Sequence, residues 1–270
     1  MSELFEYTVD APIYVSILAA VLPAIFWLVY IYRKDKLEKE PLSLLGKLIF
    51  GGLLATIVAL ILELSTSSFE SAMFEFLEDN YILAIIISAM IIGIIEECSK
   101  YFFMKRFSWR DNNFNYTFDG VVYAIFVSLG FALFENILYV FSYGLSVAFS
   151  RAILTIPAHM SFGAFMGASY GRAKIYEAAG ENKLCKRYLR KGLLIAIILH
   201  GIYDALALLS GSSLFIIAFF AFVIVVDILV YLLIKKESNN DECIRDIINT
   251  RFYNEATYNL NDSDEEIGVK

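Results

Sequence analysis

Apolar runs of about 20 residues recur along the whole chain, and each is long enough to cross the ~30 Å hydrocarbon core of a bilayer as an α-helix. Hydrophobic residues make up 59% of the 270, against about 45–50% in soluble domains, and the mean hydropathy is +0.63. The ~10-residue alternating segments of a transmembrane β-barrel are absent. The chain is therefore expected to be all-α: a polytopic transmembrane helical bundle of about seven spans, at roughly 12–32, 43–63, 81–104, 118–142, 151–171, 191–209 and 214–234. The first run is too long, and its N-terminal flank too acidic, for a cleaved signal peptide.

Loop charge orients the bundle. Arg33, Lys34, Lys36 and Lys39 follow span one, Lys105, Arg106 and Arg110 follow span three, and six basic residues from Lys174 to Lys191 follow span five. Lys235 and Lys236 follow span seven, whereas the loops near 64–80, 143–150 and 210–213 carry no Lys or Arg. The positive-inside rule then places the N-terminus outside and the C-terminus in the cytoplasm, an alternation that requires an odd number of spans. Residues 1–234 read as one integral membrane domain. Residues 235–270 read as an acidic cytoplasmic tail, a short helix followed by a disordered end, which supplies much of the net charge of −7. The basic residues are all juxtamembrane, so no surface suits nucleic acid. The 64–80 segment, with Phe69, Phe74 and Phe76 among acids, reads as an interfacial helix or a simple outer loop. Cys98 is expected to be a small buried filler, with a soft metal ligand as the other reading.

Several ionisable residues interrupt these apolar spans. An ionised side chain at mid-membrane costs on the order of 3 kcal/mol, so each needs a reason to be there. Glu96, Glu97 and Lys100 form Glu-Glu-x-x-Lys on span three. On a helix Glu96 and Lys100 share a face, while Glu97 is rotated by about 100°. Two neighbouring carboxylates in low dielectric imply a nearby cation or a shared proton. Glu135 lies on span four with Tyr139 one turn further, placed to donate to the carboxylate. His159 on span five begins His-x-x-x-Gly and continues the stripe of Gly163, Gly167 and Gly171, so it should face a helix interface. Pro157 should loosen the helix just before it. His200 and Asp204 stack on one face of span six, where the aspartate can hold the imidazole tautomer. Glu63 is expected at the outer end of span two, near water, and Asp227 in span seven has no evident partner.

Two glutamates, two histidines and a further carboxylate make the ligand and general-base set of a hydrolytic site. The expected chemistry is attack by an activated water, with Glu97 or Glu96 as base. His159, His200 and Glu135 would hold a divalent metal, zinc by expectation, and Asp204 would orient His200. In a metal-free version the histidines would form an oxyanion site. By residue count, Glu135 and His159 fall in the outer half of the bilayer and Glu96 nearer the cytoplasm. One site therefore requires helix tilt or a different end for span three. A proton- or ion-coupled transporter is the competing reading, because intramembrane Glu, His and Asp also build proton relays. Such transporters show repeated halves and broken helices, and no repeat is visible here. A non-enzymatic membrane scaffold is a third.

Glu96-Glu97-x-x-Lys100, Phe134-Glu135-x-x-x-Tyr139, His159-x-x-x-Gly163 and His200-x-x-x-Asp204 occur in that order on four successive spans. The pattern resembles the PrsW family of intramembrane proteases, itself similar to the CAAX prenyl endopeptidase and Abi superfamily. The resemblance covers about 96–204. It implies site-one cleavage of a single-pass anti-sigma factor on its extracytoplasmic side, leading to sigma-factor release under envelope stress or antimicrobial peptides. It also implies that Glu96, Glu97 and His159 are essential, with Glu135, His200 and Asp204 completing the site, and a multi-pass location in the plasma membrane.

Overall fold

The computed structural model describes residues 12–250. The described chain is helical and has no strand. Its long helices are α1 (Ile13–Lys34), α2 (Leu42–Phe76), α3 (Tyr81–Ser108), α4 (Asp119–Tyr143), α6 (Ile156–Ala178), α7 (Asn182–Leu208) and α8 (Ser213–Asn239). A short α5 (Ser146–Ser150) and a π-helical turn (Arg151–Thr155) lead into α6. Six helices are long and apolar enough to cross a membrane: α1, α2, α3 with the 3-10 turn before it, α4, α7 and α8. The seventh, α6, falls short of that apolarity because it carries glycine, serine, His159, Arg172 and Lys174. Fifteen of its 23 residues are buried, so other helices, rather than lipid, surround it.

The helix boundaries have local causes. Pro41 precedes α2, where its missing N–H costs nothing, and Pro157 stands in the first turn of α6. Asn80 Oδ1 accepts from Leu83 N at 3.3 Å and caps α3. Gly144 ends α4 at φ +86°, a conformation that a Cβ would strain.

The helix α2 runs unbroken through 64–76, where the sequence suggested a separate outer segment. Nothing in that stretch breaks a helix. The hydroxyls of Ser65, Ser67 and Ser71 fold back onto the carbonyls of Leu62, Leu64 and Ser67 at 2.6–2.9 Å, so they need no water. Glu63 thus sits inside a 35-residue helix that continues beyond the expected end of span two. Cys98 is exposed on the outside of α3, contrary to the buried position expected for it.

The centre of the bundle is α4, buried almost continuously from Asp119 to Ala132 and packed against α1, α2, α3 and α6. The glycine stripe of α6 lies directly on it. A Cβ at Gly167 would stand 2.5 Å from Gly120 O, and one at Gly171 2.2 Å from Thr117 O. The helices α3 and α7 meet in the same way at Gly93 and Gly201. The chain after α8 is docked against the segment that precedes α4. Asp241 Oδ1 accepts from Phe118 N at 2.8 Å, Ile244 N donates to Asn115 O at 2.8 Å, and Ile244 is buried. Residues 244–250 are helical, and the rest of the acidic tail lies outside the described residues.

Candidate active site

The site is built around Lys100. Its Nζ lies 2.9 Å from Glu96 Oε2 and 2.8 Å from Glu97 Oε1, so one ammonium bridges the two carboxylates that diverge around α3. It also donates to His159 Nδ1 at 3.0 Å and lies 3.9 Å from the centre of the Phe131 ring. An ammonium only donates, so His159 Nδ1 is the accepting nitrogen. The ring proton is then on Nε2, which donates to Glu135 Oε2 at 3.0 Å. Glu135 Oε2 in turn pairs with Arg151 at 2.8 Å. Helices α3, α4 and α6 and the π-helical turn are thereby tied in one chain of charge-assisted bonds, in a medium where an unpaired charge would cost several kcal/mol.

His200 completes the group from α7. Its Nδ1 donates to Glu97 Oε1 at 2.8 Å, and its Nε2 lies 3.3 Å from Asp204 Oδ2 and 3.8 Å from Glu96 Oε2. The Phe162 ring stacks on it at 5.0 Å and 25°. The short bond between His200 and Glu97 is possible because Gly93 and Gly201, beside these residues, let α3 and α7 approach.

The depth mismatch expected from residue count does not arise. Because α3 extends to Ser108, Glu96 lies near its middle, level with His159 and His200. Ligand atoms of Glu96, Glu97, His159 and His200 all fall within 4.8 Å of one another. Glu135 lies outside this foursome and touches it only through His159 Nε2. Tyr139 makes no hydrogen bond to Glu135 among the described residues. Its ring instead lies 4.0 Å from the guanidinium carbon of Arg151, so it reaches Glu135 only through the arginine.

Two imidazoles and two carboxylates are donors suited to a divalent transition metal. Glu97 Oε2, moreover, is buried without a hydrogen-bond partner among the described residues. The donor set therefore fits such an ion. Lys100 holds three of the four donors, so an ion entering the group competes with the ammonium for the same atoms.

A cavity of about 430 Å³ opens over this group. Glu96, His159, His200 and Asp204 line it, together with Glu63 and Glu135, whereas Glu97 and Lys100 lie behind the wall. The lining continues to Tyr143 and Leu208, at the C-terminal ends of α4 and α7, where residues 144–150 and 209–212 include no Lys or Arg.

Four contributors escaped the sequence reading: Arg151, Asn136, Phe131 and Phe162. Asn136 is fully buried, accepts from Arg151 Nε at 3.0 Å and donates to Ala20 O at 2.7 Å. A signal for Arg151 was present, since it is the only Lys or Arg between Arg110 and Arg172. The two phenylalanines had none, being two among 23.

Residues 39–232 match the family described as PrsW family intramembrane metalloprotease. Protease PrsW of Oceanobacillus iheyensis is 33% identical over 226 residues, which cover 83% of this chain and 97% of the relative. Protease PrsW of Clostridioides difficile is 30% identical over 72% of this chain and 79% of its own length. That of Bacillus subtilis is 30% identical over 76% and 88%. No solved structure matches. With the polytopic helical fold and the clustered glutamates and histidines already described, these similarities lead to one assignment: the chain is a multi-pass membrane protein that belongs to the PrsW family of intramembrane metalloproteases.

Proposed function

We propose that this chain is a site-one intramembrane endopeptidase that cuts a single-pass anti-sigma factor near its extracytoplasmic boundary, freeing a sigma factor after a second cut. The observation that carries the reading is the convergence of Glu96, Glu97, His159 and His200 within 4.8 Å at the floor of one cavity. The orientation proposed is N-terminus outside and C-terminus in the cytoplasm, across seven spans with α6 as the sheltered one. Residues 1–234 are then the protease domain and 235–270 its cytoplasmic tail. The extension of the cavity toward the loops without Lys or Arg supports cleavage on the outer side.

In this mechanism Glu96, which faces the cavity, takes the proton from the attacking water and passes it to the leaving amine. Glu97 and Asp204 hold the two nitrogens of His200, and Glu135 with Arg151 fixes the ring of His159. In this assignment Glu135, expected from the sequence as a ligand, positions His159 instead. A zinc ion held by His159 and His200 with the glutamate carboxylates would supply Lewis-acid polarisation of the scissile carbonyl. Lys100 balances the carboxylate charge and keeps the pair from repelling.

The test is co-expression of a tagged single-pass anti-sigma factor from the same genome with wild type, Glu96→Gln, Glu97→Gln, His159→Ala and His200→Ala at matched membrane levels. A shortened substrate is expected with wild type alone. In purified form, a strong chelator should stop cleavage and zinc should restore it. Equal cleavage by all five proteins would move the activity elsewhere in the chain.

A further inference from the structure

A second cavity, of about 420 Å³, lies on the other side of α6 between α1, the π-helical turn and α8. It shares no lining residue with the cavity over the candidate active site. Its walls are apolar and aromatic, with Phe26, Trp27 and Tyr30 from α1, Met160 from α6 and Tyr231 from α8. One charged side chain lines it: Asp227, in the middle of α8. Asp227 has no hydrogen bond or ion pair among the described residues. The basic residues of its own helix, Lys235 and Lys236, stand two turns further on, at the cytoplasmic end.

A carboxylate at this depth is expensive without a positive partner, and the ordinary partner is a cation. Aromatic faces around one anionic group are the arrangement that recognises an ammonium with an apolar body, through cation–π attraction and desolvated Coulomb pairing. The volume falls in the range of about 300–1,000 Å³ typical of small-molecule pockets and exceeds what a single lysine or arginine from a neighbouring helix would fill. We propose that this cavity is a binding site for a lipophilic organic cation, a quaternary or protonated amine delivered from the bilayer, with Asp227 as its counter-ion. The proposal does not depend on the anti-sigma reading. The site is placed to matter for the other one, because Ala152 and Met160 in its wall directly follow Arg151 and His159. Helical π-turns such as Arg151–Thr155 recur at functional positions.

Trp27 in the wall provides the readout. The full-length protein in detergent micelles would be titrated with phenyltrimethylammonium and, separately, with its neutral isostere tert-butylbenzene, following tryptophan fluorescence. The expected result is a saturable change with the cation that is absent in Trp27→Phe. Binding should be about tenfold or more weaker with the neutral isostere and in Asp227→Asn. Equal affinity for the cation and the isostere would overturn the proposal and leave the cavity as a place for acyl chains. So would the absence of any saturable change, or undiminished cation binding by Asp227→Asn. If Asp227→Asn fails to fold, the comparison of cation and isostere on the unmodified protein decides the matter alone.

Discussion

Lys100 carries the charge balance of the site. Its side chain is 1% exposed, and its ammonium is the positive group bonded to both Glu96 and Glu97. Lys100→Met would leave two buried carboxylates facing each other, an uncompensated state that costs about 3–5 kcal/mol. A large fall in the melting temperature of the purified protein is the expected outcome, and an unchanged one would mean that another cation serves the pair. Tyr139 allows a sharper distinction. Because its ring face, not its hydroxyl, meets Arg151, Tyr139→Phe should cleave substrate like wild type. Tyr139→Leu should lose the cation–π contact, about 0.5–2 kcal/mol, and with it part of the activity. Matching defects in the two variants would restore the hydroxyl to a direct role. At this scale the sequence displayed the ionisable residues plainly, because each breaks an apolar run. It did not display their pairings: His159 lies 59 residues from Lys100, and His200 lies 103 from Glu97.

Two glycine contacts set the distances between elements. At Gly167 the backbones of α4 and α6 are close enough that a Cβ would stand 2.5 Å from Gly120 O, and backbone has nowhere to retreat. Gly167→Ala is therefore expected to destabilise by about 1–3 kcal/mol, read as a lower melting temperature in detergent. Gly46→Ala, where nothing lies within 4 Å, should be neutral or slightly stabilising and serves as the control. Gly201→Val should push α7 from α3, stretch the bond from His200 to Glu97 and lower cleavage more than melting temperature. The glycine stripe was legible from its four-residue spacing, and so was the face that His159 shares with it. The extent of α2 was not. Its serines and threonine lower the apolarity of 64–76 without breaking the helix, since their hydroxyls bond to their own backbone.

For the whole molecule, the connection between α1 and α2 adds a pH dependence of its own. Asp35 and Glu40, between α1 and α2, are 1% and 4% exposed. Burial raises the Asp35 carboxyl from 3.8 to about 6 and the Glu40 carboxyl from 4.5 to about 7, only partly offset by Lys39 beside Asp35 and by Tyr123 and Asp119 beside Glu40. Each acid holds its proton more tightly folded than unfolded. Their contribution is therefore most favourable below about pH 4 and is lost as pH rises through about 6 to 7. Melting temperature measured across that window should fall with rising pH, and Asp35→Asn should flatten the fall and stabilise the protein at pH 7. A wild-type profile that rises over the same window would contradict the burial of these acids.

The sequence by itself determined that the chain is a helical membrane protein, which residues could do chemistry, and which family it resembles. Runs of apolar residues long enough to span lipid admit few structures, and charges within them are too costly to be incidental. Only the tertiary structure decided how those charges are shared. It put the Lys100 ammonium between two glutamates and a histidine, and Glu135 behind His159 beside an arginine that hydropathy had left unremarked. It also left Glu96 facing the cavity while Glu97 stayed behind its wall. These outcomes depend on helix rotation and on glycine-permitted approaches between segments far apart in the chain. Local spacing constrains neither, because a helical period says which residues share a face and not which other helix that face will meet.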